Sequence, residues 1–170
     1  PQTVFYGKVL GTASAQDFLI TTGKLTWTIL RYDGAAVTLE TSLYPLHDGA
    51  YSYRLNVPHS AIALGLTADP GGVPMPPVPQ INLHAEVKVD GQPATLLGPA
   101  GSTFTTEQLL RTATYRMDLG LNRAAADTDG DGIPDWWEDR YGLDKQDPAD
   151  APTDLSGDGL SALDAYLRGL

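Results

Sequence analysis

The first 122 residues alternate between apolar and polar side chains with a period of two. In INLHAEVKV, residues 81–89, the apolar side chains occupy every second position and His84 falls on the polar side. The same alternation appears in KLTWTIL, residues 24–30, and in AYSYRLNV, residues 50–57. This period predicts β-strands with one buried face. Strands are predicted in this way at 4–10, 24–30, 37–46, 50–57, 81–89, 94–98 (the weakest) and 114–122.

Short turn sequences separate these strands and define the expected fold class. YDGA, HDGAY and VDGQP each place an Asp-Gly pair between two alternating runs. Half-buried strands at this spacing favour an antiparallel sheet over a parallel one. We therefore expect a mainly β protein, with an antiparallel immunoglobulin-like β-sandwich domain over 1–122. One short helix is predicted within it, at TTEQLLRT, residues 105–112.

A proline-rich segment interrupts the alternation. ADPGGVPMPPVPQ, residues 68–80, holds five of the 13 prolines and so does not form a central strand. The expected structure is a stiff crossover loop. The alternative is an extended polyproline arm that a partner binds, since the segment contains P-x-x-P spacings.

The C-terminal part of the chain, residues 121–170, is far more acidic than the part before it. The net charge is −10, of which residues 121–170 contribute −8, with four Lys/Arg against twelve Asp/Glu. Such a balance argues against nucleic acid as a partner. The absence of cysteine excludes disulfides and thiolate metal sites, and the absence of an apolar run of 18 residues excludes a membrane-spanning helix. We expect a second domain at 123–170.

The acidic stretch DTDGDGIPDWWE, residues 127–138, has the residue order of an EF-hand-type calcium loop. Carboxylates stand at loop positions 1, 3, 5, 9 and 12, with glycine at position 6 where the backbone must bend. Five carboxylates and a carbonyl exceed what octahedral Mg²⁺ accepts, so the expected ion is Ca²⁺. The predicted ligands are Asp127, Asp129, Asp131, Ile133 through its carbonyl, Asp135 (directly or through water) and Glu138.

A second, incomplete copy of this loop follows in DLSGDGLSALDA, residues 154–165. Alanines occupy positions 9 and 12, which removes two ligands. If this loop binds a second Ca²⁺ ion, we expect it to be the weaker of the two sites. Asp164 is either a late ligand or the partner of Ser161 in a helix capping box. The candidate ligands here are Asp154, Ser156, Asp158, Leu160 through its carbonyl, and Asp164.

Residues 127–169, DTDGDGIPDWWEDRYGLDKQDPADAPTDLSGDGLSALDAYLRG, resemble the paired calcium-loop tail of bacterial secreted proteins. That tail is described as thrombospondin type 3-like and is similar to the dockerin fold. The resemblance implies a bacterial protein at the cell surface or outside the cell, in a structural or adhesive setting. Trp136 and Trp137 stand where dockerins carry small polar residues, so a cohesin partner is not expected. The β domain is similar only in outline to transthyretin-like and immunoglobulin-like modules.

No catalytic motif is present in the sequence. It has no Gly-x-Ser-x-Gly elbow, phosphate-binding glycine loop or thiol, and its three histidines are scattered, with His84 expected at the surface. We therefore expect a non-catalytic calcium-binding subunit that assembles with itself or with another surface protein, as a fibre or layer. The alternative is a carbohydrate-binding module. That alternative needs exposed aromatic residues, whereas Tyr51, Tyr53 and Trp27 are expected to face inward.

Overall fold

The computed structural model describes residues 2–60, 69–98, 101–106 and 112–170. The chain divides into two compact units. The β unit comprises Pro1–Leu10 and Leu19–Leu121, and the tail unit comprises Gly11–Phe18 and Asn122–Leu170. The tail unit therefore includes an early segment that no sequence pattern assigns to it.

The prediction of a mainly β protein is confirmed. Each predicted strand position contains at least one strand of the described chain, and the two helices both follow residue 122. The strands are β1 (Gln2–Gly7), β2 (Val9–Gly11), β3 (Phe18–Leu19), β4 (Lys24–Leu30), β5 (Ala36–Ser42), β6 (Tyr53–Ser60), β7 (Val73–Pro74), β8 (Ile81–Val89), β9 (Gln92–Leu97), β10 (Thr103–Thr105), β11 (Thr114–Arg116) and β12 (Asp118–Leu121). The helices are α1 (Asp135–Tyr141) and α2 (Ala162–Arg168).

These strands form two curled sheets. The first has the order β11-β1-β6-β7, and the second has the order β3-β2-β12-β9-β8-β4-β5, with β10 also paired to β8. A two-residue turn at Asp90 and Gly91 joins β8 to β9, and both residues have positive φ, as tight hairpins require. The β1–β11 and β6–β7 pairs are parallel, which departs from the wholly antiparallel arrangement that was expected.

The core of the β unit is aromatic and draws on both sheets. Phe5 on β1 and Trp27 on β4 are buried with ring centroids 5.4 Å apart. Tyr53 on β6 lies 6.3 Å from Trp27 and is also fully buried. The inward positions of the alternating strands therefore form the core, as the period of two predicts.

His84 is buried, which corrects its predicted place on the surface. The register between β4 and β8 shifts after Thr28, so that Thr28 pairs with Glu86 and Ile29 pairs with His84. This bulge leaves one residue of β8 without an opposite partner and reverses which positions face the core. His84 is therefore 7% exposed and its Nδ1 accepts a hydrogen bond from Trp27 Nε1 at 3.0 Å. Burial lowers its pKa to about 4.

The structure describes two of the predicted segments only in part. The predicted helix at 105–112 falls mostly on residues 107–111, outside the described residues. Within the proline-rich segment, β7 forms a two-residue strand at the edge of the first sheet, consistent with the exclusion of a central strand. Among the described residues, neither helix has the length and apolar character needed to cross a membrane.

Candidate metal centre

The tail unit is built on two short helices packed over a small apolar cluster. Ile133 and Trp137 are buried against Tyr166 of α2, and the Trp137 and Tyr166 ring centroids are 6.0 Å apart. Trp136 is half-buried and packs on the edge of the same cluster. The adjacent tryptophans thus both contribute to packing within the tail unit. Gly142 ends α1 with φ of 78°, the left-handed conformation that favours glycine.

Backbone hydrogen bonds to its own carboxylates curl the first loop, residues 127–138. Gly130 N donates to Asp127 Oδ1 at 2.8 Å, and Gly132 N donates to Asp127 Oδ2 at 3.1 Å. Asp129 Oδ1 and Asp131 Oδ1 accept from the amides two residues ahead of them. Each of these three aspartates is thereby fixed in direction by the loop backbone. The turn at Gly132, with φ of 96°, brings the chain round toward α1.

The loop brings acidic side chains together in two groups that share Asp131. Carboxylate oxygens of Asp127, Asp129 and Asp131 lie within 4.8 Å of one another, and so do those of Asp131, Glu138 and Asp150. Oxygens bound to one Ca²⁺ at ~2.3–2.6 Å lie at most ~5 Å apart, so each group has the spacing of a shared cation. Both groups lie in the tail unit of the described chain.

Several oxygens of these groups are buried without a hydrogen-bond partner. Glu138 is 0% exposed, and neither Oε1 nor Oε2 has a partner. Three further oxygens are also buried without a hydrogen-bond partner: Asp129 Oδ2, Asp131 Oδ2 and Asp150 Oδ1. A buried anion without compensation is costly, so these oxygens require a cation or a proton.

The electrostatic consequence is largest at Glu138. Burial, reinforced by the charges of Asp129, Asp131 and Asp150, raises the pKa of Glu138 to about 7. Burial likewise raises the pKa of Asp131, with the neighbouring aspartates adding to it. Like charges at short range penalise the ionised form, and a bound cation removes that penalty. The donor set is all oxygen and mostly anionic, which fits a hard divalent cation.

Two predicted ligands of the first loop have other contacts. Asp135 accepts hydrogen bonds from Thr128 N and Thr128 Oγ1, each at 2.8 Å, and it belongs to neither acidic group. Ile133 has a fully buried side chain, and its amide donates to Asp131. The ligand roles of Asp135 and of the Ile133 carbonyl stay predictions.

The second loop is more open than the first. Asp154 accepts from Gly157 N at 2.7 Å and from Gly159 N at 2.8 Å, and these bonds, that from Gly159 foremost, lower the pKa of Asp154. Asp158 Oδ1 accepts from Leu160 N at 2.9 Å. Both carboxylates are exposed, as is Ser156. The structure brings no acidic group of metal-ligand spacing together here among the described residues.

Asp164 occupies the position of a capping residue. Its amide donates to Ser161 Oγ at 3.1 Å, and Ser161 Oγ donates to Asp164 Oδ2 at 3.0 Å. Ser161 is the N-cap of α2, so the pair satisfies the first turn of that helix. Of the two interpretations of Asp164, the geometry supports the cap.

Sequence reasoning missed one member of the first site. Asp150 is remote from the loop in sequence and matches no position in the EF-hand spacing. The signal that identifies it is three-dimensional, namely a buried carboxylate oxygen without a partner beside Glu138. The sequence patterns also gave no sign that Gly11–Phe18 belongs to the tail unit. Two hydrogen bonds connect this segment to the rest of the unit: Gln16 Nε2 donates to Tyr166 O at 2.6 Å, and Ala125 N donates to Ser14 Oγ at 2.9 Å.

Comparisons with protein-family models, with characterised proteins and with solved structures find no match to this chain.

Proposed function

We propose that this chain is a non-catalytic, secreted calcium-binding structural or adhesive subunit. One observation carries the proposal: five buried carboxylate oxygens without partners converge in the tail unit, both oxygens of Glu138 among them. A Ca²⁺ ion held by Asp127, Asp129, Asp131 and Glu138 neutralises this charge. The ion acts as a structural element that fixes the loop and the start of α1, and no reaction is assigned to it.

Calcium is favoured over magnesium by the number and charge of the oxygens. Mg²⁺ keeps several waters and takes one or two protein carboxylates, whereas Ca²⁺ accepts six to eight oxygens in flexible geometry. Extracellular calcium modules work at dissociation constants of ~10⁻⁴–10⁻³ M, which suits a secreted protein in calcium-rich surroundings. A weaker second ion in the loop at 154–165 remains part of the proposal, held by Asp154 and Asp158.

The proposed setting is an extracellular fibre or surface layer. The β unit, interpreted as an immunoglobulin-like sandwich, would supply the structural body of the subunit. β5 is an edge strand of the larger sheet, and β11 is an edge strand of the smaller one. Strands at sheet edges accept strands from neighbouring chains, which is a route to self-assembly or to binding another surface protein.

Isothermal titration of the full chain with Ca²⁺ tests the binding step. We expect the tighter binding event to be lost in Asp131→Asn, because Asp131 belongs to both acidic groups. Asp139→Asn is the matched control: it makes the same charge change on the exposed side of α1, where Asp139 pairs with Lys145. An isotherm for Asp131→Asn equal to that of Asp139→Asn would refute the first-loop site.

Electron microscopy of concentrated protein in millimolar Ca²⁺ and in chelator tests the assembly step separately. Calcium-dependent fibres or sheets support the structural subunit. Monodisperse particles in both conditions contradict self-assembly but leave calcium binding intact.

A cleft on the β unit favours a second candidate function, carbohydrate binding. Tyr6 and Tyr51 line an open cleft of about 500 Å³, with ring centroids 5.1 Å apart. Tyr51 was expected to face inward, but it is half-buried and borders this cleft beside His47 and Arg54. Aromatic rings with polar groups around them are typical of small-molecule clefts. Micromolar capture by immobilised β-glucan or chitin at high salt, lost in Tyr51→Ala, would support this function over the structural one.

A further inference from the structure

The segment between the two helices, residues 144–153, is a compact series of turns around Asp150. Asp150 N donates to Asp147 O at 3.2 Å, and Thr153 N donates to Asp150 O at 2.9 Å. Asp150 Oδ2 accepts from Asp144 N at 2.8 Å. Three hydrogen bonds thus fix the backbone and one oxygen of Asp150 within this segment.

Asp150 also belongs to the acidic group that contains Asp131 and Glu138. Asp150 Oδ1 is buried and has no hydrogen-bond partner. A carboxylate oxygen of Asp150 lies within 4.8 Å of oxygens of both Asp131 and Glu138. Glu138 itself is wholly buried with both oxygens unpartnered, so the place where the three meet has no donor among the described residues. One cation can be shared by all three carboxylates, whereas a proton can bridge only two of them.

We propose that Asp150 is a direct ligand of the divalent cation at the first loop, supplied from outside that loop. This inference rests on the proposed function, since it assigns a ligand to the same site. The cation then joins the first loop, α1 and the inter-helix segment through Asp131, Glu138 and Asp150. It fastens the segment in place, in addition to shaping the loop.

This ligand couples the cation to the second helix. The residue after Asp150, Ala151, is buried in the tail cluster, and its carbonyl accepts from Leu163 N at 3.1 Å. Thr153 O accepts from Ala162 N at 2.8 Å. The first turn of α2 therefore depends on the segment that Asp150 fastens. Binding at the first loop is expected to order α2 even when the second loop holds no ion.

The test compares Asp150→Asn with Asp147→Asn in the full chain. In the first variant, the single amide oxygen of the new side chain can accept from Asp144 N or bind the cation, but it cannot replace both carboxylate oxygens. Asp147 lies three residues earlier, is exposed, and uses Oδ1 to accept from Ala149 N, a role that asparagine retains. We expect Asp150→Asn to weaken Ca²⁺ binding by about tenfold or more, and Asp147→Asn to leave it within about twofold.

Amide hydrogen exchange at Ala162 and Leu163 supplies the second readout. Ca²⁺ should slow exchange at both amides in the parent chain and in Asp147→Asn, and much less in Asp150→Asn at equal Ca²⁺. In chelator, exchange in Asp150→Asn should be no faster than in the other two proteins, because the variant removes a negative charge beside Glu138 and Asp131. Equal Ca²⁺ affinity in Asp150→Asn and Asp147→Asn would overturn the inference while the first-loop site stands.

A second outcome would also overturn the inference: amide exchange in Asp150→Asn faster than in the parent chain both in chelator and in Ca²⁺, with unchanged Ca²⁺ affinity. Asp150 would then only stabilise the turns of the segment and would not bind the cation. If the parent chain binds no Ca²⁺, the proposed function itself fails, and this inference fails with it.

Discussion

Replacing Glu138 by Gln should have opposite effects on the stability of the tail unit with and without calcium. In chelator, the Glu138 carboxylate is buried, unpartnered and close to Asp131 and Asp150. Glutamine keeps the shape and removes the charge, so the metal-free tail should gain stability. In calcium, glutamine removes a buried ligand that offers two oxygens, so the same variant should lose stability.

The magnitude follows from the geometry of the site. Two unit charges that lie within 4.8 Å of each other repel, at an effective dielectric of 20, by about 3 kcal/mol or more. Burial and then these charges raise the pKa of Glu138 from 4.5 to about 7, so the combined penalty on its ionised form is about 3 kcal/mol, from about 2.5 units at 1.36 kcal/mol each. Because the folded-state pKa is raised for an acid, this penalty is absent below pH 4.5 and fully present above pH 7. The glutamine amide stays desolvated, so we expect a net gain of about 1–3 kcal/mol at pH 8 in chelator.

The assay is urea unfolding followed by ¹⁹F NMR of fluorotryptophan-labelled protein. Separate signals distinguish Trp136 and Trp137 of the tail unit from Trp27 of the β unit. At a free Ca²⁺ concentration about 100 times the dissociation constant, bound calcium stabilises the parent tail by about 2.7 kcal/mol, and Glu138→Gln should lose most of this. The control, Asp139→Asn, removes an exposed ion pair and should change stability by less than about 1 kcal/mol, with the same sign in both conditions. Destabilisation by Glu138→Gln in chelator as well as in calcium would refute the reasoning.

Three further changes test other parts of the account. Burial lowers the pKa of His84 to about 4, so between pH 6.5 and 4 the unfolded chain binds a proton that the folded chain does not. Urea titrations of the β unit should therefore show that the free energy of unfolding falls by about 3 kcal/mol over that range. A folded His84→Gln variant should show no such loss. Gly132→Ala should destabilise the tail by about 1–2 kcal/mol in thermal melts and by more than Gly130→Ala, because both need positive φ but only at 132 does a Cβ approach Leu163 Cδ1, at 3.3 Å. Ser161→Ala should cost about 1 kcal/mol of tail stability through loss of the α2 cap. Because Ca²⁺ binding is coupled to α2, this loss can lower Ca²⁺ affinity at the first loop by at most about fivefold, and a loss of tenfold or more would contradict the separation of cap and site.

The fold could be predicted where local pattern determines it. Strand β4 has the predicted bounds of 24–30, because its alternation continues unbroken from Leu25 to Ile29. β8 also has the predicted bounds, but the bulge reverses its inward face partway along, which the alternation of INLHAEVKV does not indicate. A bulge depends on the pairing with the neighbouring strand, and a single-strand pattern carries no information about that pairing.

Some residues of the candidate metal site could likewise be predicted from the sequence, and one could not. Loop spacing alone predicts that Asp127, Asp129 and Asp131 meet, since a tight loop with glycine at position 6 forces nearby residues together. Asp150 could not be found from spacing, because the turns of the inter-helix segment bring it to Glu138. Contacts that depend on tertiary packing leave no periodic mark in the sequence.

The most direct test of the cation site is a crystal structure of the full chain grown in millimolar calcium, with a second crystal in which terbium replaces calcium. The account predicts one strong anomalous peak at the first loop, bonded at ~2.3–2.6 Å by oxygens of Asp127, Asp129, Asp131 and Glu138. Absence of a peak there in both crystals, with the carboxylates of Asp131 and Glu138 still buried together, would contradict the central claim.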